Sequence, residues 1–221
     1  MISLGDNTGA PDPREYYAEK LALHGAIPAS VDVTEAGQRL RFKIIMDELG
    51  KTHQCSILDV GCGYGAFRDF LVEYSRHSID YTGVDICESM IRAAHERRPN
   101  VKFMARDIIV DPLPQEFDFV IASGLFQFNH GWGNAERLIS AMWKHTKRTL
   151  VFNMLSRLTP MKDWVNTEFH AEPERTFAFC QEHTPYVRLL HDYRPNDFTV
   201  VMRREPTYPV RSSLEMIRNV G

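Results

Sequence analysis

Ile57-Leu58-Asp59-Val60-Gly61-Cys62-Gly63-Tyr64-Gly65 is the stretch on which the fold turns. A short apolar strand runs directly into a glycine-rich turn. Phe67, Phe70, Leu71 and Tyr74 then fall on one face of an amphipathic helix. Strand, glycine turn and helix open a nucleotide-binding βαβ unit, because glycine permits positive φ and lets a ligand lie against bare backbone. Asp59, two residues before the first glycine, sits poorly beside a pyrophosphate. It suits a ligand that carries positive charge.

Outward from this stretch, strand-like runs recur near 56–60, 80–85, 101–106, 117–123, 149–155, 186–192 and 198–204. Helical patterns lie near 13–24, 34–50, 66–76, 88–97, 134–147 and 172–183. For the helix at 134–147 the expected cap is Asn134, the apolar stripe is Leu138, Ile139 and Met142, and Lys144, His145, Lys147 and Arg148 complement the negative end of the dipole. Alternation of strand and helix predicts an α/β, doubly wound, Rossmann-like sheet of seven strands. The last two runs are separated only by Tyr193-Arg194-Pro195-Asn196-Asp197, too short for a crossover helix. They must form a C-terminal antiparallel hairpin.

The chain of 221 residues is long enough for one α/β domain. The expected organisation is a single domain over 1–221, with an N-terminal helical cap at 1–50, a core at 55–204 and a tail at 205–221. A net charge of −3 offers no general basic surface, so nucleic acid is not an expected partner. Residues 1–13 show no basic and apolar leader pattern, and no apolar run reaches bilayer length, so no membrane association is expected. Cys55, Cys62, Cys87 and Cys180 are widely spaced with no C-x-x-C pair, which suits a reducing cytoplasm and provides no zinc cluster. With no His-Glu-x-x-His and no acidic triad either, no metal site is expected.

Three further elements follow the glycine turn. Tyr81-Thr82-Gly83-Val84-Asp85 places an acid at the end of the second strand, where a carboxylate can accept from both hydroxyls of a ribose; Ile86 and Met90 follow, placed to pack near an adenosine. The lesser alternative is that Asp85 merely caps the helix at 88–97. Ala105-Arg106-Asp107-Ile108 ends the third strand with an acid and a branched aliphatic residue. Phe117 to Ala122 runs into Ser123-Gly124-Leu125-Phe126, whose small residues admit a ligand to the backbone.

Residues 55–126 resemble a class I S-adenosylmethionine-dependent methyltransferase. Asp59-Val60-Gly61-Cys62-Gly63-Tyr64-Gly65 matches the first motif of that family without a gap. The resemblance implies S-adenosyl-L-methionine as cofactor, a phosphate-free nucleoside bearing an ammonium, a carboxylate and a sulfonium. It implies that Gly61, Cys62, Gly63 and Gly65 pass beneath the methionine part and that Asp59 helps hold its methionyl end. Asp85 would meet the ribose, Asp107 the adenine amine and Ile108 the ring. Ser123 and Gly124 would face the transferred methyl. No Asn-Pro-Pro-Tyr-type run follows the fourth strand, which disfavours methylation of a DNA base amine. Tyr16-Tyr17, Lys20-Leu21, His24-Gly25, Ala122-Ser123-Gly124 and Leu190-His191-Asp192-Tyr193 extend the likeness to small bacterial methyltransferases, largely of unassigned substrate.

The same glycines fit the looser pattern of an NAD-dependent oxidoreductase, a rival opposed by Asp59, Asp107-Ile108 and the terminal hairpin. A non-catalytic cofactor-binding partner subunit is a second rival, opposed by the intact glycines and Asp85. The preferred reading is transfer of a methyl group to an oxygen or nitrogen of a small-molecule acceptor, with a protein or peptide acceptor as the alternative and RNA behind it. A homodimer is compatible with these residues but not specified by them. On the acceptor side the expected catalytic candidates are His130, as a base, and Tyr17 and His24 on the N-terminal helix. Tyr16, Gln127, Asn129, Trp132, Asn153, Arg157 and Trp164 are secondary candidates for walls and orienting contacts.

Overall fold

The computed structural model describes residues 11–50, 52, 54–74, 79–128, 131–160 and 168–207. Two helices precede the sheet, α1 (Pro13–His24) and α2 (Glu35–Leu49). Asp12 caps α1 by accepting from the backbone N–H of Arg14 at 2.8 Å, and Pro13 supplies the preset φ of a first helical residue. Thr34 caps α2 through the N–H of Gly37. Then follow β1 (Ser56–Val60), α3 (Ala66–Tyr74), β2 (Asp80–Asp85), α4 (Glu88–Arg97), β3 (Lys102–Ala105) and β4 (Phe117–Ala122). The chain continues through α5 (Trp132–Lys144), β5 (Thr146–Ser156), β6 (His170–Ala171), α6 (Pro173–Gln181), β7 (Val187–Arg194) and β8 (Asp197–Arg203).

The strand order is β3-β2-β1-β4-β5-β8-β7. All pairs from β3 through β5 are parallel, while β8 lies antiparallel between β5 and β7. The expected sheet and terminal hairpin are therefore present. The two-residue β6, which pairs with the end of β5, is an eighth strand too short to have been read from the sequence.

Alternation along the central strands divides the core. Leu58, Val60, Val120 and Ala122 face α5 and α6, whereas Ile57, Phe119 and Ile121 face α2 and α3. Each large side chain so buried contributes roughly 1.5–3 kcal/mol.

The helix expected at 134–147 is shifted. It starts at Trp132 behind Gly131, so Asn134 lies inside the first turn and is not its cap. It stops at Lys144 because Thr146 already belongs to β5. His145 turns inward and its Nε2 accepts the N–H of Leu113 at 2.9 Å. Burial lowers its pKa, so it serves as a neutral acceptor and not as a cation at the helix end. Lys147 and Arg148 belong to β5, where Arg148 lies over the ring of Phe119. Among the described residues no helix is long and apolar enough to cross a membrane.

Candidate active site

The sheet order reverses between β1 and β4, and a ligand crevice forms at such a point beyond the carboxyl ends of the strands. A cavity of about 900 Å³ lies there, near the upper end for small-molecule sites. Its floor is the turn after β1. The N–H groups of Gly61 and Cys62 both bond to the carbonyl of Val84, which fixes the turn against β2. Gly61 has φ +72°, and a Cβ there would stand 2.7 Å from Cδ1 of Leu125. Gly65 differs from the other glycines of the motif. It does not line the cavity; its missing side chain makes room for Phe103, whose Cζ lies 2.8 Å from the position of a Cβ.

Three carboxylates line one side of the cavity. Asp59 is 2% exposed and accepts a 2.6 Å bond from the hydroxyl of Tyr81. Burial pushes its carboxyl up to about 7, opposed by the Tyr81 bond and reinforced by the charge of Asp85. Asp85 accepts from the N–H of Gly63 at 2.9 Å and of Cys87 at 2.8 Å. Burial raises its pKa and those two bonds oppose the rise. The carboxylate thus ties the glycine turn to the start of α4 and, with about four acceptor sites, keeps capacity for a further donor. Asp107, after β3, accepts from the N–H of Ile109, while Ile108 beside it is buried against the α5 face of the core.

Cys62, Gly63, Ile86, Met90, Ser123 and Gly124 also line the cavity. Met90 and Tyr64 form a small cluster against which Tyr17 and Leu21 of α1 pack. The helix is pinned at a second point, where Asp32 accepts from the Tyr16 hydroxyl at 2.7 Å and from Lys20 at 2.6 Å. Tyr16 is engaged there and does not line the cavity.

Tyr17 does line it, edge-on to Phe128 at 5.3 Å. Its hydroxyl oxygen accepts from Nε2 of Gln127 at 2.5 Å. Burial raises the phenol pKa far above its ordinary value, so Tyr17 stays protonated and is a donor, not a base. His24, two turns beyond Tyr17 at the last residue of α1, is exposed and does not line the cavity. Among the secondary candidates, Asn153 is buried and accepts the N–H of Gly124 at 3.0 Å, supporting the loop from beneath. Arg157 pairs on the surface with Glu172, and Trp132 packs against Phe169, Phe179 and Arg175. His130, Asn129 and Trp164 lie outside the described residues.

The sequence reading missed Arg41. This α2 side chain lines the cavity and makes a two-pronged ion pair with Asp197 at the start of β8, at 2.8 and 3.1 Å. The partners are 156 residues apart, and the only local sign is an arginine beside Phe42 within the apolar pattern of a helix.

A doubly wound sheet with a glycine turn and an acid near the end of each of its first three strands defines a Rossmann-like nucleoside-binding enzyme class. A family model described as a methyltransferase domain matches residues 57–149. Rv1506c of Mycobacterium tuberculosis, a provisionally named methyltransferase, is 31% identical over 159 residues, 67% of this chain and 93% of that protein. Malonyl-acyl-carrier-protein O-methyltransferase of Paenibacillus sp. is 28% identical over 110 residues, 46% of this chain and 40% of the relative. In three dimensions the N-methyltransferase NodS of Bradyrhizobium japonicum, solved with S-adenosylhomocysteine, matches with a TM-score of 0.64 at 17% identity, over 90% of this chain and 98% of that one. The chain belongs to the class I S-adenosylmethionine-dependent methyltransferases, and it is an enzyme that uses S-adenosylmethionine.

Proposed function

We propose that this enzyme methylates an oxygen or nitrogen of a small-molecule acceptor held in the outer half of the cavity. The observation that carries this reading is the lining of that half. Phe128, Phe169 and Leu138 give it apolar walls in the same cavity as Asp59, Asp85 and Asp107. Such a space suits a compact acceptor with an apolar body and a few orienting contacts. The names of the relatives point to both oxygen and nitrogen as acceptors, so they support the class and leave the atom open.

In this reading the residues of the inner half hold the cofactor. Asp85 accepts from the ribose hydroxyls with its remaining lone pairs. Asp107 accepts from the adenine amine, with Ile86, Met90 and Ile108 against the adenosine. The turn at Gly61, Cys62 and Gly63 lies beneath the methionine part, and Asp59 faces the ammonium. Ser123 and Gly124 face the methyl. The fit rests on Asp59: a buried carboxyl with one donor and a pKa near 7 is completed by a cation. Bound S-adenosylmethionine supplies a methyl group on a good, neutral leaving group, so the protein has mainly to position the nucleophile and exclude water. Tyr17, Gln127 and Phe128 close the space from the α1 side. The whole chain is read as one domain, in which α1 and α2 form a cap on the core.

Calorimetric titration with S-adenosylmethionine, S-adenosylhomocysteine and NAD tests the inner half. Binding of both sulfur nucleosides with no response to NAD is expected. Methyl transfer to small hydroxy, carboxy and amino compounds, followed against peptide acceptors, tests the outer half. Turnover with peptides alone would overturn the small-molecule reading.

A further inference from the structure

We propose that Arg41 and Tyr17, the latter held by Gln127, form a carboxylate-binding cradle above Gly124. The inference rests on the cofactor placement proposed above. The three side chains come from α1, α2 and the loop after β4, and all line the same cavity. A Cβ built on Gly124 would lie 3.6 Å from Nη1 of Arg41 and 3.8 Å from Oε1 of Gln127. Gln127 in turn donates to the Tyr17 hydroxyl. The cradle is therefore centred on the loop that faces the methyl in that placement.

Its donors are left over by the protein. The Arg41 side chain is 9% exposed. Nε and Nη2 bond to Asp197, and no described residue accepts from Nη1, which carries two N–H groups. The Tyr17 oxygen takes its hydrogen bond from Gln127, so the phenolic proton is directed elsewhere, and no described residue accepts it. Charge points the same way. The single carboxylate of Asp197, fully buried, faces two guanidiniums, since Nη1 of Arg194 also lies 3.5 Å from it. The group carries a net positive charge at the cavity wall. A planar anion with two acceptor oxygens matches a guanidinium edge and a neighbouring phenol.

A carboxylate can reach this cradle from the methionine part of the cofactor or from the acceptor. Two titrations separate them, using the wild type, Tyr17→Phe and Arg41→Lys. Lysine keeps a cation beside Asp197 but loses the fork, and phenylalanine keeps the ring and loses the proton. Circular dichroism and urea midpoints check that each variant is folded. The first titration compares S-adenosylmethionine with its decarboxylated analogue. If the cofactor is the source, the wild type favours the carboxylated form roughly tenfold to a hundredfold. Both variants then bring that ratio towards one. The second adds acetate, benzoate and malonate, each against its amide, to protein saturated with S-adenosylhomocysteine. If the acceptor is the source, the nucleoside ratio is near one in every protein, the wild type prefers a carboxylate over its amide, and the variants lose the preference.

A wild-type nucleoside ratio near one together with no preference for any carboxylate overturns the cradle. So does a large ratio that neither variant changes. Failure of both nucleosides to bind would overturn the cofactor placement instead. The carboxylate titrations, run without nucleoside, would still read the cradle.

Discussion

The two halves of the cavity are built in different ways. The inner half takes its chemistry from residues at the ends of consecutive parallel strands. Asp59 lies within β1, Asp85 ends β2, and Asp107 stands two residues past β3. Each acid is tied down nearby, Asp85 and Asp107 by backbone N–H groups and Asp59 by Tyr81 on the adjacent strand. The outer half gathers side chains from α1, α2, α5 and the loop after β4, held by contacts between distant segments such as Tyr17 with Gln127 and Arg41 with Asp197. Local backbone geometry secures the first half. Long-range packing secures the second.

The strongest way to break this comparison is Asp197→Ala. Removing one partner of a buried ion pair costs about 3–5 kcal/mol, because the other charge stays buried without compensation. Urea unfolding should show that loss. A loss below about 1 kcal/mol, the range of exposed pairs, would mean that the outer half does not depend on its long-range pair. Next comes Asp85→Ala, which should weaken S-adenosylmethionine binding by roughly 1–3 kcal/mol through lost charge-assisted hydrogen bonds. Unchanged affinity in a folded variant would place the ribose elsewhere.

The pH dependence sharpens the inner half. Asp59 has a folded pKa of about 7, above the ordinary carboxylate value. Its contribution to stability is therefore fully present below about pH 4 and is lost as pH rises towards 7. A bound cation reverses that preference by favouring the ionised form. Affinity for the cofactor should then rise with pH, by up to about tenfold per unit, and level off above 7. Asp59→Asn should flatten the profile. A wild-type profile already flat between about pH 5.5 and 8.5, after buffer correction, would remove Asp59 from contact with the ammonium. The smallest effect belongs to His24→Ala. Since His24 is exposed at the end of α1, stability should change by less than about 0.5 kcal/mol and turnover should be unaffected. A large loss of turnover would return His24 to the site.

The sequence by itself determined the sheet, its terminal hairpin and most of the inner half. Short apolar runs mark the strands, glycine marks the turn, and a short acid near the end of a strand has few places to go. Reading faltered where neighbours distant in sequence decide. Gly65 belongs to the motif by spacing, yet Phe103 accounts for its lack of a side chain. Tyr17 and His24 share one helix face by spacing, yet only Tyr17 reaches the cavity. The tertiary structure alone decided that Asn153 supports Gly124 from beneath and that Arg41 enters the cavity held by Asp197. The physical reason is the range of the forces. Backbone preference and hydrophobic period act within a turn or a strand and leave their mark in consecutive residues. A buried ion pair across 156 positions has no local periodicity and exists only once the chain has closed around it.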